Sequence, residues 1–173
     1  METRSQHEPT LMGPEAIEKM RELVDHNAIC MFTSNVGEVP LQTRPMTTQE
    51  VDDEGNFWFF SAKDSHKNYE VRSDARVQLL FANTSNSEYL TVNGRATVVE
   101  DRNKIAKMWS PMVKAWFQAG KDDPNLTLIK VTPEDAYYWE PKHNKMVTLL
   151  KMAASAVSGK GMEIGSEGKM KLK

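Results

Sequence analysis

From Glu15 to His26 the apolar residues recur at helical spacing. Ile17, Met20, Leu23 and Val24 share one face, while Glu15, Glu18, Lys19 and Glu22 lie elsewhere. Gly13-Pro14 opens this helix, because proline at the first helical position gives up an N–H that has no partner there anyway. The pattern then changes to that of strands. Ala28–Ser34 is apolar and β-rich, Asn35-Val36-Gly37-Glu38 reads as a turn, and Pro40–Thr48 returns as the second half of a hairpin. Asp52–Asn56 is a strong turn signal, and Phe57–Phe60 is a short strand apolar on both faces. Ser65–Arg72 predicts a brief helix with Tyr69 and Val71 as its apolar contacts. Strands follow over Arg76–Ala82 and Glu88–Glu100, with Gly94 marking a bulge or a close backbone approach.

Asp101 is placed to cap a helix carrying Ile105, Met108 and Trp109, and Pro111–Gln118 predicts a further helical turn. Leu126–Thr132 and Ala136–Trp139 read as two more strands. Met146–Val157 regains a helical period and predicts a C-terminal helix ending near Gly159. Residues 1–12 read as a loose leader, 13–159 as one domain, and 160–173, rich in Gly and Lys, as a disordered tail. Strands joined by tight turns argue for a mainly antiparallel, mainly β (α+β) fold. A small barrel with peripheral helices suits the count and leaves few exposed edges.

Composition narrows the function classes. The chain has 173 residues, enough for one domain with a real core, and its 22 basic and 24 acidic residues give a formal net charge of −2. That balance gives no global attraction to nucleic acid or anionic membrane, so an anion site has to be local. Cys30 is the single cysteine, which excludes an internal disulfide and fits a reducing cytoplasm. No apolar run approaches the ~20 residues of a membrane span, and METRSQHEPT lacks the apolar centre of a secretory signal. The four histidines are far apart and none has a second ligand at metal spacing, so no metal site is expected. Phosphate-loop, dinucleotide and nucleophile-turn signatures are missing, which leaves any chemistry to a bound cofactor.

Candidate anion chemistry lies in two segments. Ser61-Ala62-Lys63-Asp64-Ser65-His66-Lys67 brings hydroxyls and cations to the opening of a helix, where unpaired N–H groups favour a phosphate. The same residues suit a Ser-capped helix with a solvated lysine. Arg44, before Pro45, offers a fork of donors fitted to phosphate, and equally suits an exposed edge strand. The strand carrying Arg44 is expected to pair near Phe57–Phe60, which would bring the two segments together.

The order of these segments resembles a known family. Arg44-Pro45-Met46, Trp58-Phe59-Phe60-Ser61 with Ser65-His66-Lys67, Asn93-Gly94-Arg95-Ala96, Trp116-Phe117, Asp123-Pro124-Asn125-Leu126 and Ala136-Tyr137-Tyr138-Trp139 are similar to the flavin-binding split-barrel superfamily of pyridoxamine 5′-phosphate oxidase. Within it the chain looks most like the general stress protein branch, over residues 14–160. The resemblance implies a six-stranded antiparallel split β-barrel, homodimeric, with FMN (or FAD) bound in clefts at the subunit interface. It implies that Arg44, Ser65 and Lys67 hold the flavin phosphate and that Ser61 lies near the flavin or its ribityl chain. Pro45, Met46 and Phe60 would line the ring and ribityl path, and Trp116 would reach the partner's flavin. Trp139 is a further candidate near the ring.

The departures are as specific. His66 falls where the oxidases carry arginine, and Tyr89 where they often carry glutamine near the ring. The Arg-x-His-type closing segment that helps hold the pyridoxal substrate has no equivalent, which argues against oxidation of pyridoxamine phosphate. The resemblance therefore implies a cytoplasmic FMN-dependent oxidoreductase linked to stress response, with a small-molecule redox partner and no nucleic-acid or membrane partner. The alternatives are a non-catalytic flavin carrier or sensor and, against the retention of Arg44, Ser65 and Lys67, a cofactor-free interaction module.

Overall fold

The computed structural model describes residues 10–141 and 165–171. Thirteen elements occur in chain order: β1 (Thr10–Met12), α1 (Gly13–His26), β2 (Ile29–Ser34), β3 (Gln42–Thr47), β4 (Glu50–Val51), β5 (Phe57–Ala62), α2 (His66–Ser73), β6 (Arg76–Asn83), β7 (Glu88–Val99), α3 (Arg102–Met108), α4 (Pro111–Lys114), β8 (Leu126–Pro141) and β9 (Gly165–Lys171). The strands form one mostly antiparallel sheet in the order β1-β9-β8-β7-β6-β2-β3, with β5 joining β8 and β4 joining β5. β3 and β4 do not pair, so hydrogen bonding leaves the sheet open. The fold is mostly β, of α+β class. The helix expected over Met146–Val157 lies outside the described residues.

Each element follows from its local pattern. Pro14 sits in the first turn of α1, whose residues Ala16, Met20, Leu23 and Val24 are buried against the sheet. In β6 and β7 alternate residues turn inward: Val77, Leu79 and Phe81 on one, Leu90, Val92 and Ala96 on the other. Phe32 meets Phe59 edge to face at 5.5 Å between ring centroids in this main core. A second core contains Trp58, Ile105, Leu126 and Leu128, with Phe60, Met108, Trp109 and Phe117 packed on it. β5 separates the two cores, Phe57 and Phe59 facing one and Trp58 the other. That division is why its run is apolar without alternation.

Three expectations are corrected. β3 pairs with β2, as the hairpin predicts, but does not also reach β5, because the apolar pattern fixes which face is inward but not the neighbouring strand. Leu126–Thr132 and Ala136–Trp139 form one continuous strand, β8. Its irregular point, Pro133 to Asp135, is absorbed by a register shift at Asn93/Gly94. The tail also contributes β9, antiparallel to β8 and parallel to β1, and buries Met170. That run offers little apolar pattern, so backbone pairing rather than side-chain burial marks it as a strand.

Candidate functional site

α2 starts three residues beyond β5, and β3 runs across from it. Between them, roofed by α4 and the residues after it, lies a cavity of about 370 Å³. Small-molecule and cofactor sites occupy roughly 300–1,000 Å³. β3 supplies Arg44, Pro45, Met46 and Thr47, followed by Gln49; β5 supplies Phe60, Ser61 and Ala62; α2 supplies Lys67. Met112, Val113, Trp116 and Phe117 complete the wall. Most of this surface is apolar or aromatic, and the two cations share it.

Lys67 is half-buried, and among the described residues its amine has no hydrogen-bond or ion-pair partner. Burial first, and then the charge of Arg44, push its pKa down, against an opposing pull from Glu70. Arg44 is better provided. Its Nη2 meets Glu70 Oε2 at 2.7 Å and its Nη1 donates to Ser34 Oγ, while Ser34 Oγ donates to the same Glu70 oxygen at 2.5 Å. Burial of Glu70 favours its neutral form, but the hydrogen bonds from Ser34 and Arg44, aided by the charges of Arg44 and His66, hold its carboxyl below the usual range.

A buried polar network braces the junction of β5 and α2. Ser61 Oγ donates to Asn68 Oδ1 at 2.7 Å, Asn68 Nδ2 donates to Thr127 Oγ1 at 3.1 Å, and Thr127 Oγ1 donates to the Ser61 carbonyl at 2.9 Å. All three residues are buried. Satisfied networks of this kind fix one geometry, since an unpaired member would carry the full desolvation cost.

The structure gathers seven of the expected residues at one cavity: Arg44, Pro45, Met46, Phe60, Ser61, Lys67 and Trp116. Ser61 is drawn inward, its hydroxyl committed to Asn68 and within 3.2 Å of Ser65 Oγ. Ser65 is the N-cap of α2, yet its side chain does not cap the helix and it does not line the cavity. His66 is exposed at the helix start, outside the cavity wall. Tyr89 lies at the start of β7, cross-strand from Trp139, and neither lines the cavity within one chain. Tyr69, expected as an apolar contact, points to solvent, and Asn68 is the buried residue in its place. Sequence reasoning missed Gln49, Met112, Val113 and the support from Ser34, Glu70, Asn68 and Thr127. A signal existed for Glu70, which follows Lys67 by three residues and so shares its helix face.

An open, mostly β sheet flanked by helices, with a cation-bearing, aromatic-walled cavity, defines a mostly β protein of the α+β class. Within that class, residues 15–163 match the family model described as pyridoxamine 5′-phosphate oxidase like, and the chain belongs to that family. General stress protein 26 of Bacillus subtilis is 32% identical over 78 residues, spanning 43% of this chain and 55% of that protein. Among solved structures, a candidate general stress protein 26 from Jannaschia sp. CCS1 superposes with a TM-score of 0.71 at 21% identity, covering 88% of this chain and 97% of the other. A protein named as a general stress FMN/FAD binding protein, from Xanthomonas citri, gives a TM-score of 0.64 at 28% identity over 73% of this chain and 89% of its own. No helix among the described residues is long and apolar enough to cross a membrane. Nor do the described residues bring three His, Cys, Asp or Glu side chains together as a metal site.

Proposed function

We propose that this chain binds FMN in the cavity between β3, β5 and α2 and acts as a homodimeric flavin-dependent oxidoreductase. The observation that carries the reading is the unpartnered Lys67 amine beside Arg44 in an otherwise apolar, aromatic-walled cavity. A half-buried cation without a direct ion-pair partner is costly, and an anionic ligand offsets that cost. The donor set fits a flavin phosphate: Lys67 supplies a point charge, and Arg44 keeps N–H donors beyond the two spent on Ser34 and Glu70. Met46, Phe60, Trp116 and Phe117 offer a surface suited to a ring system. The FMN/FAD-binding name carried by the relative from Xanthomonas citri supports the same ligand class.

Bound flavin would supply hydride or electron transfer. Among the described residues, the side chains lining the cavity include no His, Asp, Glu, Cys or Tyr, so the protein's part would be to bind, orient and shield. The dimer is supported by an outward row across the sheet. Pro45, Met31, Leu80, Thr91 and Tyr137 are successive cross-strand partners. Met31 is 42% and Leu80 40% exposed, and Trp116 at the cavity wall is 83% exposed. A six-stranded split barrel with clefts at a dimer interface accommodates this surface.

Titration of FMN and riboflavin into purified protein tests the reading. FMN should bind at least about tenfold tighter than riboflavin, the worth of a charge-assisted contact. A protein that neither carries nor quenches flavin overturns it. With Lys67 committed to the anion, and no His, Asp, Glu, Cys or Tyr among the described lining residues, a second reading is a flavin carrier or sensor. Anaerobic bleaching of the bound flavin by NADH or NADPH supports the enzyme, and a flavin that stays oxidised with both supports the carrier.

A further inference from the structure

Ser34 and Glu70 do not line the cavity, yet both close on the one arginine that does. Three elements meet at this point: Ser34 ends β2, Arg44 lies in β3, and Glu70 is in the second turn of α2. An arginine on a strand at the end of the sheet has several rotatable bonds and no intrinsic aim. Here its two terminal nitrogens are taken by acceptors from two other elements, and those acceptors are joined by the 2.5 Å bond from Ser34 to Glu70. Glu70 also stands one turn along α2 from Lys67, so a single helix carries both the free amine and the carboxylate that grips the guanidinium.

Charge alone gives this arrangement the wrong sign. Arg44 and Lys67 contribute two positive charges and Glu70 removes one, so deletion of Glu70 should strengthen anion binding if Coulomb attraction dominates. If orientation dominates, deletion should weaken it, because a guanidinium free to swing must be ordered on each binding event.

Resting on the flavin reading above, we propose that Ser34 and Glu70 are positioning residues that aim the Arg44 fork at the phosphate end of the flavin. The preference for FMN over riboflavin depends on them, while affinity for the ring portion does not. This ratio is a readout that a merely structural role would leave unmoved.

Dissociation constants for FMN and riboflavin, measured by flavin fluorescence on wild type, Glu70→Ala, Glu70→Gln and Ser34→Ala, decide the matter. Glu70→Ala should cut the FMN preference by about tenfold or more through the FMN constant, with the riboflavin constant within about twofold. Glu70→Gln keeps an acceptor for Arg44 and should retain most of the preference. Ser34→Ala should fall between them, and decides alone if Glu70→Ala does not fold. A preference unchanged or raised in the alanine variants overturns the proposal in favour of simple charge attraction. Wild type with no preference for FMN removes the anion-site reading itself, a result separable from failure in the variants.

Discussion

Lys67 is held where its charge is costly. Its pKa is lowered mainly by burial and then by Arg44, so folding disfavours its charged form. Because the folded value lies below the unfolded one, that cost is absent above the unfolded pKa, builds as pH falls below it and is complete below the folded one. Lys67→Met should therefore stabilise the ligand-free protein, raising Tm by about 1–3 °C, while weakening FMN by about tenfold or more. Thermal melts with and without FMN check both halves. A variant of lower Tm that still binds FMN would show that Lys67 serves packing rather than the ligand. Cys30 titrates with the same physics and the opposite charge. Burial pushes its thiol up to about 12, so it stays protonated while an unfolded thiol ionises near its ordinary value of 9.0. Its contribution is complete below that ordinary value and fades as pH climbs toward the folded one. Urea midpoints should fall more between pH 9 and 11 in wild type than in Cys30→Ala, and a thiol reagent should leave the native protein unlabelled.

At the scale of elements, β7 and β8 fit each other through one glycine. A Cβ on Gly94 would stand 2.4 Å from the Thr132 carbonyl oxygen and 3.1 Å from the Pro133 Cα, both backbone atoms. Gly94→Ala must displace the strand and should cost about 2–3 kcal/mol in denaturant unfolding; a cost under half of that would mean β8 yields easily there. Sequence flagged Gly94 as a close approach because a glycine inside a strand pattern has few other uses. It split β8 in two for a related reason: Pro133-Glu134-Asp135 breaks the alternation, and only the facing strand reveals that the ladder continues past it. Helix α1 and the β2–β3 hairpin were legible because both are local, one set by period and one by a turn. The neighbour of β5 was not, since it is β8, whose paired residues 126–131 lie far along the chain, rather than β3. Of the cavity's lining the sequence offered seven residues and missed Gln49, Met112 and Val113, and it offered none of the support behind them. Lys67 and Arg44 stand out as letters, whereas the buried contact of Asn68 with Thr127 joins positions 59 residues apart in the chain.

At the scale of the whole molecule, the proposed dimer rests on the outward row through the exposed Met31 and Leu80. On the dimer reading, Met31→Lys with Leu80→Glu should shift the mass measured by light scattering from two chains to one. Flavin affinity should fall with it if Trp116 serves the partner's cavity. Wild type at single-chain mass with flavin bound would set the interface aside. This level of structure was expected only through family resemblance. Exposed Met and Leu in a strand read the same whether they face water or a second copy.

The sheet order also sets a timetable for synthesis. β5, which forms one wall of the cavity, has only the two-residue β4 beside it until residues 126–131 of β8 are made. β1 is made before the other described strands and pairs with β9, the last of them to be made. A ribosome-bound chain can build the β2–β3 hairpin and the β6–β7 pair early, yet β5 gains its long neighbour only once residues 126–131 are made. Chains stalled before residue 126 should expose Phe57 and Phe59, which places the aggregation hazard of this fold in the interval between making β5 and delivering its neighbour.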